Sequence, residues 1–134
     1  MLRILLAGLE MADLTPFTAG LREDRRAELT FVDAAAAAIA AVGKGQVDLA
    51  IVGEELVDAS PVDCITQMVR CNPMINCAMI SGLEHDAFHE ATEGLGILMQ
   101  LPLAPSREDA AVLLAKVDSI AMQLGGLTGK GGAK

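Results

Sequence analysis

Short apolar runs recur along the chain, each closed by glycine, proline or a small polar residue, and each followed by a stretch with helical spacing. Arg3 to Gly8 is the first such run and predicts a buried parallel strand. Thr15-Pro16 then offers an N-cap with proline at the first helical position, and the helix is expected to run to about Asp24 with Gly20 as a weak point. Glu28 to Val32 is rich in strand formers, and Asp33 is expected to cap an alanine-rich helix closing near Gly43-Lys44-Gly45. Val47 to Val52 predicts the third strand. Ser60-Pro61 repeats the cap-plus-proline start, and Pro61 to Cys71 puts Ile65, Met68 and Val69 on one helical face before Asn72-Pro73 ends it. Ile75 to Ile80 predicts a fourth strand, Glu84 to Gly94 a polar helix, and Gly96 to Leu101 a fifth strand stopped by Pro102. Ser106, with Asp109 three positions on, reads as a capping box for a last helix whose apolar positions are Val112, Leu113, Val117, Ile120 and Leu124.

Strands alternating with helices through short loops imply a parallel sheet covered on both faces. Five such units predict an α/β fold, a three-layer αβα flavodoxin-like (βα)5 domain with strand order 2-1-3-4-5. The domain is expected over residues 1–124, followed by a glycine-rich, disordered tail over 125–134. Ligands in such sheets bind outside the carboxyl ends of the strands, near the switch point between strands one and three. That puts the expected site at Gly8, Leu9, Glu10, Gly53, Ser81 and Leu101.

At 134 residues the chain fits one domain with a real core. Its 52% of hydrophobic residues owes much to alanine, including Ala34 to Ala38, and no apolar stretch reaches the roughly 20 residues a membrane span needs. Met1 to Leu6 makes a poor signal peptide, so a cytoplasmic location is expected. The net charge of −8 argues against a nucleic-acid surface, and Arg22, Arg25 and Arg26 are interrupted by Glu23 and Asp24. Cys64, Cys71 and Cys77 lack CxxC spacing and read as apolar fillers in a reducing compartment.

Four segments carry a resemblance to a known family. They are Val47-Asp48-Leu49-Ala50-Ile51-Val52, the following Ser60-Pro61-Val62-Asp63, Ile80-Ser81-Gly82, and Leu101-Pro102-Leu103 leading into Ser106-Arg107-Glu108-Asp109. In their order and spacing the chain resembles the CheY-like receiver domains of response regulators in two-component signalling, over roughly Leu2 to Leu124. The resemblance implies a metal-binding acidic pair at Gly8-Leu9, an acceptor aspartate at Gly53, a serine or threonine at Ser81 and a Lys-Pro pair at Leu101-Pro102. Only Ser81 and Pro102 fit that pattern; Glu10 lies just beyond the acidic-pair position, and the aromatic switch position falls on Leu98.

Phosphoryl transfer needs an oxygen nucleophile, a cation to neutralise the transferring oxygens, and carboxylates to hold that cation. With those groups missing, the resemblance implies a pseudo-receiver: not an enzyme, with no cofactor and no metal, working through a protein partner in a two-component or phosphorelay pathway. The interaction surface it implies is the fourth helix, fifth strand and fifth helix, with Leu83, Phe88, Leu95 and Met99 as its apolar candidates and a homodimer through that face as one outcome. Glu54 directly follows Gly53 and reaches the pocket only if a one-residue bulge turns it inward; otherwise Glu54 and Glu55 begin a solvated loop. The alternative function is a small-ligand or anion sensor using space left between Gly8, Gly53 and Ser81. Finally, His85 and His89 stand four apart, flanked by Glu84, Asp86 and Glu90, with spacing suited to a transition metal. A solvated helix surface is the simpler reading of that pair.

Overall fold

The computed structural model describes residues 2–9, 15–23 and 27–128, with side chains described through residue 120. Five strands alternate with five helices: β1 Leu2–Ala7, α1 Thr15–Arg22, β2 Ala27–Val32, α2 Ala35–Gly43, β3 Leu49–Val52, α3 Pro61–Cys71, β4 Asn76–Ile80, α4 His85–Ala91, β5 Met99–Leu101 and α5 Arg107–Thr128. The strands form one parallel sheet in the order β2-β1-β3-β4-β5. This is the expected flavodoxin-like, CheY-like topology.

The alternation of side chains along each strand divides the core in two. Ile4, Leu6, Leu49, Ile51, Ala78 and Ile80 point to one face, where Phe17 and Leu21 of α1 and Leu113 and Val117 of α5 cover them. Leu5, Ala7, Ala50, Val52, Cys77 and Met79 point to the other, beneath α2, α3 and Phe88 of α4. Both faces of β3, and of β1 and β4 from Ile4 and Cys77 onward, are therefore buried, which is why these stretches read as apolar runs.

Two of the expected helix starts hold as local hydrogen-bond patterns. Ser60 Oγ accepts from the Asp63 amide at 3.1 Å, and Ser106 Oγ accepts from the Asp109 amide at 3.1 Å while the Asp109 carboxylate accepts from the Ser106 amide at 2.8 Å. Asp33 does not cap α2. Residue Ala34 takes the N-cap position, and the free amides of Ala35 and Ala36 donate to Asp58, which reaches across from the loop after β3 at 2.6 and 3.1 Å. Those two bonds favour the carboxylate and hold the Asp58 carboxyl below its ordinary range.

Gly20 is a packing site and not a flaw. A Cβ there would stand 2.8 Å from the Ala110 Cβ and 3.0 Å from the Arg107 carbonyl, so glycine is what lets α1 and α5 approach. Val112 lies on the outer face of α5, about half exposed, whereas Leu113 and Val117 enter the core. The backbone of α5 runs on to Thr128, four residues into the glycine-rich stretch; residues 129–134 lie outside the described residues. Among the described residues no helix is long and apolar enough to cross a membrane.

Candidate functional site

The carboxyl ends of β1 and β3 meet where the switch point was expected. Gly53 donates to the Ala7 carbonyl at 2.8 Å, Glu55 donates to the Gly8 carbonyl at 2.8 Å, and Gly8 donates to the Val32 carbonyl at 3.0 Å. The loop after β3 is thus tied by backbone bonds directly over the end of β1. Gly8 sits at φ +68°, and a Cβ on it would meet Leu56 within 2.8 Å. It needs glycine both for its backbone angle and for want of room.

Gly53 is closed in a different way. A Cβ there would overlap the Leu9 side chain and stand 2.6 Å from the Gly8 carbonyl oxygen. Leu9 belongs to the apolar cluster beneath α1 and α5, and Leu56 to the one beneath α2 and α3, so one leucine from each side closes over the glycine pair. The leucine could move aside; the carbonyl, fixed by the Glu55 amide, could not without unseating the loop.

The remaining residues expected at the site divide. Leu101 is fully buried in the cluster beneath α1 and α5, and Pro102 is exposed. Glu54 is exposed, on the loop after β3, rather than turned into the pocket. Glu10 lies outside the described residues. Ser81 is buried at the end of β4, where its amide donates to the Leu101 carbonyl at 3.0 Å and its Oγ accepts from the Leu83 amide at 3.1 Å. Its hydroxyl therefore serves a turn in the backbone. The structure brings Gly8, Leu9 and Gly53 together, and joins Ser81 to Leu101 by the sheet ladder.

A second cluster lies farther along the same rim. Gln100 of β5 donates through its side-chain amide to the carbonyls of Leu83 at 2.7 Å and Ser81 at 3.2 Å, clamping the β4–α4 loop. Ser81, Gly82, Leu83, Gln100, Pro102 and Leu103 line one open depression there. Leu103 lies against Gly82, whose Cβ would come within 3.0 Å of it. Leu83 is 47% exposed and Leu103 56%, and with Val57 at 73% they make three of the five large exposed apolar residues among those described. Apolar exposure is thus concentrated at the carboxyl rim.

Of the apolar candidates for an interaction surface, only Leu83 stands free. Phe88 is a correction: it is buried at 6% exposure and anchors α4 in the core, because a seven-residue helix needs one large side chain to hold it to the sheet. Leu95 and Met99 are half-buried and packed against the two clusters. Leu103 was missed by the sequence reading, although an aliphatic residue framed by Pro102 and Pro105 in a loop was a usable signal.

The described loops of this rim carry Asp33, Glu54, Glu55, Asp58 and Glu84, and neither lysine nor arginine. The first cation beyond them, Arg107, pairs with Glu23 at 2.7 Å. Cys64 and Cys77 are buried, and burial raises their thiols to about 11 and about 12, so both stay protonated and act as apolar filling. Among the described residues no group of three metal-binding side chains is present.

No family model matches the chain, and no curated protein does. Solved structures do match. A CheY-like response regulator receiver domain protein from Methanospirillum hungatei JF-1 is similar at 17% identity and TM-score 0.76, covering 92% of this chain and 98% of that one. The signal receiver domain of an HD domain-containing protein from Pseudomonas fluorescens Pf-5 matches at 16% identity and TM-score 0.76, over 91% and 90% of the two chains. A two-component response regulator from Clostridium difficile matches at 15% identity and TM-score 0.73, over 92% and 98%. The chain has the receiver fold.

Proposed function

We propose that this chain is a signalling module of the receiver fold that works by contact with a protein partner and takes no phosphoryl group. The observation that carries the reading is at position 53. The place where an acceptor side chain would stand is occupied by Leu9 and bounded by the Gly8 carbonyl. Phosphoryl transfer also needs a held cation, and Gly8 and Leu9 offer no carboxylate to hold one. The same filling removes the basis for a ligand sensor between Gly8 and Gly53, because Leu9 and Leu56 take that space.

Contact falls to the outer half of the rim. Leu83, next to Glu84, and Leu103 present aliphatic surface on a rim whose described loops carry carboxylates and neither lysine nor arginine, which suits a partner segment carrying an aliphatic anchor flanked by lysine or arginine. The reading belongs to a two-component or phosphorelay setting in which the module is read by shape and not by modification.

Intact-mass spectrometry after incubation with acetyl phosphate and magnesium, beside an active receiver, tests the first half. No phosphoryl adduct is expected; a hydroxylamine-labile adduct would overturn it. Partner capture tests the second half: Leu83→Ser with Leu103→Ser should abolish it, and rising salt should weaken it. Sedimentation of the free chain separates the remaining case, since a dimer lost in the same double variant would make a second copy the occupant.

A further inference from the structure

We infer that α4 carries an exchangeable site for a divalent transition metal, formed by His85 and His89. This goes beyond the docking role and does not depend on it. The two residues are four apart on one helical face, both exposed, with ring centroids 4.6 Å apart and planes at 83°. Imidazoles one turn apart can present a nitrogen each to a single ion once the rings turn about χ2, a broad torsion for histidine.

Neighbouring side chains favour a cation: Glu84, Asp86 and Glu90 flank the pair, and no lysine or arginine occurs between Arg70 and Arg107. No third metal-binding side chain groups with the two among the described residues, so water completes the coordination. Two imidazoles plus water suit Zn(II), Ni(II) or Cu(II) and discriminate against Mg(II) and Ca(II), which demand oxygen ligands. The open coordination makes the site exchangeable and not structural.

The helix gives the ion something to act on. Phe88 is the one buried residue of α4, so few contacts oppose its local opening. The two rings converge only while the turn between them is helical. An ion bound there holds α4 closed, through the bonds from the Phe88 amide to the Glu84 carbonyl at 2.8 Å and from the Thr92 amide to the Phe88 carbonyl at 3.0 Å. With zinc at ten times its dissociation constant, mass action slows opening-limited exchange of these amides about tenfold.

The test is a titration of the whole chain with zinc chloride at neutral pH, by calorimetry, joined to amide hydrogen exchange. One site is expected; His85→Ala or His89→Ala weakens it at least tenfold, Cys71→Ser leaves it unchanged, and excess magnesium does not compete. Both histidines are exposed, so the variants keep the fold. Absence of binding, or binding that survives either histidine variant, overturns the site; His-dependent binding without slower exchange in α4 overturns the clamp.

Discussion

The two halves of the carboxyl rim have the same backbone plan and opposite physical character. At β1 and β3 the strand ends are glycines, the loop above is tied to the end of β1 by the Gly53 and Glu55 amides, and leucines from both core clusters seal the join. At β4 and β5 the turn is held by Ser81 and Gln100, and its leucines face solvent. Where the receiver resemblance places chemistry this chain packs leucine, and its exposed leucines lie beside that join.

The sharpest way to break that contrast is to put the aspartate back. Gly53→Asp brings a Cβ against the Gly8 carbonyl and a carboxylate among leucines. It should cost roughly 3 kcal/mol and lower Tm by roughly 10 °C, without creating a phosphoacceptor. Adding Leu9→Ala should recover less than half of the loss, because the carbonyl remains. Urea unfolding of both variants decides this; a Gly53→Asp chain as stable as the parent would mean the join is loose.

Gly8→Ala is the next step down. It asks alanine to hold φ +68° against Leu56, and should cost about 2 kcal/mol. An equal substitution at Gly94, where φ is +83° and a Cβ meets nothing within 4 Å, isolates the backbone part. If the two cost the same, Leu56 does not seal the site.

Much of this molecule was legible in the chain because its signals are local. Ser60-Pro61 and Ser106 with Asp109 announce helix starts within four residues, and the buried strands announce themselves as apolar runs. What stayed hidden depends on register between distant segments. Asp33 had the right residue type for capping α2 but falls one residue before the N-cap, and Asp58 does the work from 23 residues away. Gly53 was legible as a missing acceptor, but that Leu9 fills its place follows only from the pairing of Ala7 with Val52. Phe88 and Leu83 look alike in sequence, and only the docking of α4 separates core from surface.

The Asp58 cap ties the sealed half to α2 and gives a pH signature. Its carboxyl is held below the ordinary value, so its contribution is complete above the unfolded pKa near 3.9 and is lost as pH falls through the lower folded value. Asp58→Asn should therefore be less stable than the parent at neutral pH, with the gap closing in acid. A gap that stays constant down the acid range would mean the two amide bonds carry no charge-dependent stability.

The smallest expected effect is the one that tests the open half. Leu83→Ser and Leu103→Ser remove aliphatic surface that is about half in water already, so each should shift the unfolding free energy by no more than about 0.5 kcal/mol. The same substitution at Leu101, buried in the same stretch of chain, should cost several times more. Equilibrium denaturation of the three variants side by side makes the comparison direct. A loss above about 1.5 kcal/mol at either exposed leucine, within the range for a fully buried side chain, would mean that the patch supports the turn. The open half would then be core as well, and contact with a partner would have to be sought elsewhere on the molecule. A near-neutral result leaves two exposed leucines whose cost in solubility folding does not repay, which is the condition expected of a surface kept for binding.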